Sequence, residues 1–368
     1  MLAFILLIAL PAACCFVAVG HNHRGARVLR LGNSAYIRQY NPAISVFFLL
    51  LWLMLALRDN TVGRDLPNYA AYFHYFRTAE WSAVMEHDLD MLYILLNLCV
   101  GKTTDSFQIF LAVVAALTLL PIWATYRQEK GHAYLRIVMF LGVGVFPMLF
   151  SGIRQFLAMS VGMVSWHYTK KRKVLPFLLS VLAAVGFHHS AFILLLMYPA
   201  YRAHWKEKHL WLLVPVITAV FILRRELFAL LGTVLPRYSF EIEETGAYGT
   251  LAILILFGVF CYVIPEEEKM DAELLGLRNL LILSILLQCF APIHMLAMRF
   301  NYYYLLFIPI LIPKIIDGAK VRWRQMAKLG GIVIAMLYTA TYIVMLCRFS
   351  STGESPLDIL PYVPSWKT

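Results

Sequence analysis

Charged residues are scarce in this 368-residue chain: Asp, Glu, Lys and Arg make up 14% of it, against 61% hydrophobic residues and a mean hydropathy of +0.71. That leaves too little polar surface to cover a water-soluble globule, so the solvent around most of the chain is expected to be lipid. Period-two alternation is missing as well. Segments such as 42–57 (PAISVFFLLLWLMLAL) and 249–264 (GTLAILILFGVFCYVI) are apolar all round, which excludes a membrane barrel and leaves helices, whose backbones are satisfied internally. The six cysteines (Cys14, Cys15, Cys99, Cys261, Cys289, Cys347) form no CxxC and no Cys/His pairing at zinc-ligand spacing, and read as small apolar packing residues. No soluble domain and no internal repeat of clear period are visible, which weakens the case for a transporter built from inverted halves. The first segment, 2–20, lacks the basic start of a signal peptide, and Pro11 disturbs what would otherwise be a lipoprotein box before Cys14, so it is expected to stay as a span.

What is present is a succession of apolar runs long enough, straight or tilted, to cross a hydrocarbon layer of roughly 30 Å. The chain therefore reads as all-α: one polytopic membrane domain, 1–368, with spans at about 2–20, 42–57, 106–126, 134–150, 152–168, 174–187, 190–201, 210–223, 249–264, 279–297, 300–316 and 329–347. The formal charge of +11 is taken as a record of topology rather than a sign of nucleic acid, because Lys and Arg concentrate in cytoplasmic loops. Twelve crossings put both ends outside. The loops then placed inside, 21–41, 127–136, 170–173, 202–208, 265–278 and 314–328, carry 21 Lys and Arg against ten in the outer loops. This holds only if the ten-residue run 91–100 dips in and returns as a re-entrant segment, since a further crossing would invert every later loop. The outer segments are 58–90, 224–248 and the tail 348–368. The pair 174–187 and 190–201 is also short, and short or broken helices at membrane depth point to a polar cavity.

Four groups at the expected outer face carry candidate chemistry, since ionisable groups there persist mainly with a partner or a task. Arg58 with Val62-Gly63-Arg64-Asp65 and Asn68-Tyr69 is one; an ordinary interfacial loop with an Arg–Asp pair is its plainer reading. Asp88-Leu89-Asp90 leading to Tyr93 is the second, readable as a metal–diphosphate site or as an acidic helix start. The third is Ser151-Gly152-Ile153-Arg154-Gln155. An arginine in the first turn of a helix opposes the macrodipole, which favours service to an anion. The fourth is His188-His189-Ser190, expected near Arg299 and Tyr302-Tyr303-Tyr304, where tyrosines also suit an aromatic belt. Arginine forks suit phosphate oxygens, and a histidine relays a proton near neutral pH.

These residues resemble the EpsG-like proteins of bacterial exopolysaccharide and capsule clusters, which are similar in role to Wzy repeat-unit polymerases. The resemblance runs along most of the chain and rests on Val62-Gly63-Arg64-Asp65 with Asn68-Tyr69, on Asp90-x-x-Tyr93-x-Leu95-Leu96, and on Gly152-Ile153-Arg154-Gln155-x-x-Ala158. It continues through Phe187-His188-x-Ser190-Ala191, Arg299 with Tyr302 to Tyr304, and Leu360-Pro361-Tyr362 near Trp366. Position 90 departs from it, holding Asp where Glu is expected.

The resemblance implies joining of oligosaccharide repeat units carried on polyprenyl diphosphate, at the outer face of the bacterial inner membrane, in exopolysaccharide, capsule or O-antigen synthesis. Arg154 and Arg299, with Arg64 as a third member and Gln155 beside them, are expected to bind the diphosphate. His188, Asp65 or Asp90 is expected to take the proton of the attacking hydroxyl, with Asp90 ranked last, and Tyr69, Tyr93 and Tyr302 to stack on sugars. No cofactor and no metal is expected. The partners are the lipid-linked donor and acceptor, membrane lipid, and a flippase and chain-length regulator of the same pathway, with no nucleic acid. A lipid-linked oligosaccharide flippase, an acyltransferase and a metal-dependent multi-span glycosyltransferase using Asp88 and Asp90 remain as rivals.

Overall fold

The computed structural model describes residues 1–22, 42–81, 84, 87–129, 131–203, 205, 207–234, 242 and 244–367. The expected inner loop 21–41 and the middle of the outer segment 224–248 lie almost entirely outside them. The described residues are helical, with no strand among them and two isolated backbone bridges, Arg58–Pro364 and Pro265–Ala319. In chain order the helices are α1 (Leu2–Asn22), α2 (Pro42–Ala56), α3 (Leu66–Thr78), α4 (Met91–Gly101), α5 (Phe107–Tyr126) and α6 (Ala133–Gly142). There follow α7 (Phe146–Ser151), α8 (Ile153–Lys170), α9 (Val174–Phe187), a 3-10 stretch His189–Leu196, α10 (Met197–Arg202), α11 (Leu210–Ile222) and α12 (Arg224–Val234). The last are α13 (Tyr248–Val263), α14 (Ala272–Gln288), α15 (Met295–Leu305), α16 (Ile308–Asp317) and α17 (Arg324–Thr352).

Three helical stretches are long and apolar enough to cross a membrane unaided: Phe107–Tyr126, Ala272–Ile293 and Val321–Thr352. A fourth arises if α15 and α16, bent by 47°, are taken as one span. Four expected spans, 134–150, 190–201, 279–297 and 300–316, are not single straight helices. The 300–316 run bends where Pro309, near the start of α16, cannot donate an amide to the preceding turn. The 134–150 run breaks at Val143–Val145, where Gly144 takes φ +92°, a conformation that suits glycine. Helix α4 has 11 residues, about 16 Å at roughly 1.5 Å per residue, too short to cross.

Two ends of the bundle are defined by polar contacts. At one, Lys314 Nζ lies 2.9 Å from Glu129 and 2.5 Å from Glu273, Lys170 Nζ lies 3.2 Å from Glu273, and His132 lies 2.9 Å from Asp317. Buried Arg278 meets Glu267 at 3.3 Å and donates to the Trp205 carbonyl at 2.7 Å. These pairs draw together residues of the expected inner loops 127–136, 170–173, 202–208, 265–278 and 314–328.

At the other end the C-terminal tail folds over the 57–65 segment. The Asp59 amide donates to the Val363 carbonyl at 2.8 Å, Ser365 to Leu57 at 2.9 Å and Gly63 to Asp358 at 2.9 Å. Phe4 of α1 packs on Phe150 and Tyr362 here, at centroid separations of 6.0 and 6.4 Å, so both termini reach this end. Between the ends, an enclosed chain from Ser284 Oγ to Asn301 (2.6 Å) and from Asn301 to Gln288 (2.7 Å) ties α14 to α15, the polar glue expected between helices in lipid.

Candidate functional site at the tail end

The segment 58–65 is locked in place by backbone geometry. Arg58 is buried, donates from Nη1 to the Phe150 carbonyl at 2.6 Å and lies 5.3 Å above the Phe150 ring; burial pushes its guanidinium down to about 9. Gly63 has φ +117°, and a Cβ there would sit 2.4 Å from the Phe150 oxygen, so this turn admits only glycine. The next residues reach α7. Asp65 Oδ2 accepts from Ser151 Oγ at 2.8 Å, and the Asp65 amide donates to Ser151 Oγ at 3.1 Å. The pair expected between Arg64 and Asp65 does not form: Arg64 turns instead to Asp358 of the tail, 3.1 Å away, with both side chains more than half exposed.

Ser151 closes α7, and α8 starts two residues later, which sets Arg154 in its first turn. The arginine's partner comes from the start of α4. Asp90 precedes α4 but makes no capping bond to it. Its Oδ2 accepts from Arg154 Nη1 at 2.9 Å and lies 3.5 Å from His188 Nδ1. Its Oδ1 accepts from the His189 amide at 2.9 Å and lies 3.3 Å from His189 Nδ1. Burial favours the neutral acid, but the two histidines and the Arg154 charge outweigh it and hold the Asp90 carboxyl well below the usual range. Burial likewise lowers the His188 imidazole, with the Asp90 carboxylate opposing.

His188 is extended between α9 and the 3-10 stretch, its amide still closing α9 on Ala184 at 3.0 Å. Eight residues is long for a 3-10 run. Two tyrosines brace it: Tyr303 Oη and Ser190 Oγ are 3.0 Å apart, and Tyr304 Oη donates to the Ile193 carbonyl at 2.7 Å. These two are therefore buried braces rather than a lipid-facing belt. The same helix carries Arg299, whose carbonyl accepts from Gln155 Nε2 at 2.7 Å while its side chain is exposed. Tyr93 is fully buried with its ring 5.9 Å from the Arg154 guanidinium, and Tyr69 packs edge-on to it at 5.8 Å. Burial raises the Tyr69 hydroxyl, with Arg154 beside it opposing.

The structure thus gathers Arg154, Asp90, His188, Tyr69 and Tyr93 into one contact network, with Gln155 joining it to Arg299 of α15, the helix that also carries buried Tyr302. Asp65 is one step removed, through Ser151, and Arg64 belongs to the tail contact. Asp88 is exposed and outside the ligand-like cluster. On the sequence Asp90 ranks last as a proton acceptor and His189 has no stated role, whereas in the structure the aspartate joins the arginine to both histidines. The adjacency of His189 to His188 was the available signal. Several side-chain atoms here are buried without a hydrogen-bond partner among the described residues: Arg154 Nε, Gln155 Oε1, Tyr93 Oη and His188 Nδ1. Such orphans collect where a ligand or water completes the bonding.

Neither curated proteins nor solved structures include a match to this chain. A family description does match, over residues 43–362, from the start of α2 to the tail that covers the 58–65 segment, and so spans every element of the site. The chain belongs to the EpsG family.

Proposed function

We propose that this protein is a polysaccharide polymerase, a glycosyltransferase that joins polyprenyl-diphosphate-linked oligosaccharide units at the outer face of the bacterial inner membrane. The carrying observation is Arg154 bound to a carboxylate that also faces His188, at the end of the bundle where both termini lie. Family membership supports a role in membrane polysaccharide synthesis. In this reading the chain crosses twelve times with α4 re-entrant, the short helices tilt or pack in pairs, and the tail end faces outward.

In the reaction an acceptor hydroxyl attacks the anomeric carbon of the donor. The hydroxyl proton passes to His188, the new C–O bond forms, and the bond to the diphosphate breaks with its electron pair leaving on phosphate oxygen. The leaving diphosphate gains negative charge in the transition state, which Arg154 and Arg299 stabilise most when held in a partly dry site. Asp90 keeps the arginine and the histidine in place. Tyr69, Tyr93 and Tyr302 line the approach of the sugars, and Gln155 holds the Arg299 backbone against α8. The lipid tail leaves between helices, which accounts for a membrane-embedded enzyme. Donor and acceptor come from a flippase of the same pathway, and a chain-length regulator acts on the product.

Reconstitution in liposomes with purified lipid-diphosphate-linked repeat units tests the class. Polymerase activity lengthens the lipid-linked glycans and persists with chelator; leaflet exchange alone, or acyl transfer alone, contradicts it.

A further inference from the structure

We propose that Asp90, His188 and His189 form a three-ligand site for one divalent transition-metal ion, zinc in the first instance, whose occupancy switches the protein off. One carboxylate oxygen of Asp90 and one ring nitrogen of each histidine all lie within 4.8 Å of one another. The 3.3 Å from His189 Nδ1 to Asp90 Oδ1 and the 3.5 Å from His188 Nδ1 to Oδ2 are close to the edge of a zinc tetrahedron, about 3.3 Å for bonds of roughly 2.0–2.1 Å. A cation among these atoms reaches all three with small side-chain adjustments.

A second observation points the same way. His188 is nine-tenths buried, and its Nδ1 has no hydrogen-bond partner among the described residues although it faces the carboxylate. A metal bond satisfies it. Two imidazoles and one carboxylate suit zinc over magnesium, which prefers oxygen ligands, and three protein ligands leave a fourth position open to water. Arg154, hydrogen-bonded to Asp90, adds a positive charge beside the ion and tunes the affinity downward, so the site exchanges metal instead of holding it permanently.

The site stands on geometry alone, whereas the consequence rests on the polymerase reading. With the ion in place, Asp90 is committed to metal and His188 no longer accepts a proton, so elongation stops.

The test uses the full chain in nanodiscs, stripped with chelator and titrated calorimetrically with zinc chloride, alongside His189→Gln. The His189 side chain is one-third exposed and outside the proposed proton path, so His189→Gln is expected to fold and to elongate glycans normally, with equal thermal stability confirming the fold. Wild type is expected to bind one zinc, His189→Gln to bind it about tenfold or more weakly. Zinc is expected to halt elongation by wild type but not by the variant. Cobalt(II) substitution in the wild type gives an independent reading: visible bands of a four-coordinate ion, displaced by zinc. No stoichiometric zinc binding, or equal binding by His189→Gln, overturns the site. Activation by zinc overturns the switch. Absence of elongation by metal-free wild type counts against the polymerase reading and leaves the calorimetry to decide the site.

Discussion

Arg154 and His188 share one carboxylate oxygen: Asp90 Oδ2 lies 2.9 Å from the guanidinium and 3.5 Å from the imidazole. The proposed anion-binding group and the proposed proton acceptor are thereby set by one side chain at the start of a helix too short to cross the membrane. Asp90→Asn keeps the size but removes the charge, and is expected to lower the elongation rate by about 10²–10⁴-fold, the range for losing an acid–base group or its orienting partner. Asp90→Glu restores the acid that family resemblance leads one to expect, and should retain activity within about tenfold of wild type, roughly 1.4 kcal/mol in barrier. Rates of both variants under saturating lipid-linked substrate check this; equal loss in the two would show that the charge is not what matters.

Arg154 and Arg64 distinguish the proposed binding site from its rim. Arg154 is mostly buried and bonded to Asp90, whereas Arg64 is exposed and paired with Asp358. Arg154→Lys keeps the charge but loses the planar fork, and is expected to cost about 10²–10³-fold in rate, as loss of a preorganised transition-state donor does. Arg64→Ala should cost less than Arg154→Lys. Steady-state elongation kinetics give the order, and a larger effect at Arg64 would move the diphosphate site toward the tail.

Gly63 holds the turn that brings Asp65 to Ser151. Gly63→Ala forces a side chain onto the Phe150 carbonyl at a positive φ, and should destabilise the fold by about 1–3 kcal/mol from backbone strain alone. Asp358→Asn, which breaks only an exposed ion pair, should change stability by less than about 1 kcal/mol. Thermal unfolding in a common detergent compares the two, and similar shifts would remove the argument for a sterically fixed turn.

Lys314 sits between Glu129 and Glu273 at the opposite end. Lys314→Met leaves the partly buried Glu129 carboxylate without its lysine, beside a Glu273 still paired with Lys170, and is expected to destabilise by about 1–3 kcal/mol, between the exposed and buried limits for ion pairs. Restoration by the double change Lys314→Met with Glu129→Gln, read as a recovered melting temperature, would show that the unpaired charge is the cause, since Glu273 keeps Lys170.

Much of this architecture is legible in the sequence because hydrophobic run length and Lys/Arg placement act locally. The helical class, the short segment at 91–100 and the interruption at Phe187-His188 follow from those features alone. The breaks at Gly144 and Pro309 also have local causes, but run length averages over them and a single span is expected in their place. The contacts of Asp90 are different in kind. They join residues 64 and 99 positions apart in sequence, and only packing of α4 against α9, itself packed on α8, brings them together. The partner of Arg64 is non-local in the same way: it lies 294 positions away in the tail, while the acid next to it in sequence faces Ser151.

Elongation by the purified protein, compared with His188→Ala and Arg154→Ala at matched expression and thermal stability, tests the central claim most directly. The wild type is expected to lengthen lipid-diphosphate-linked glycans, with each variant slowed by about 10²-fold or more, as loss of a proton acceptor or of a leaving-group donor requires. Lengthening at undiminished rate by either variant, or its absence in the wild type, would contradict a polymerase built on this arginine and histidine.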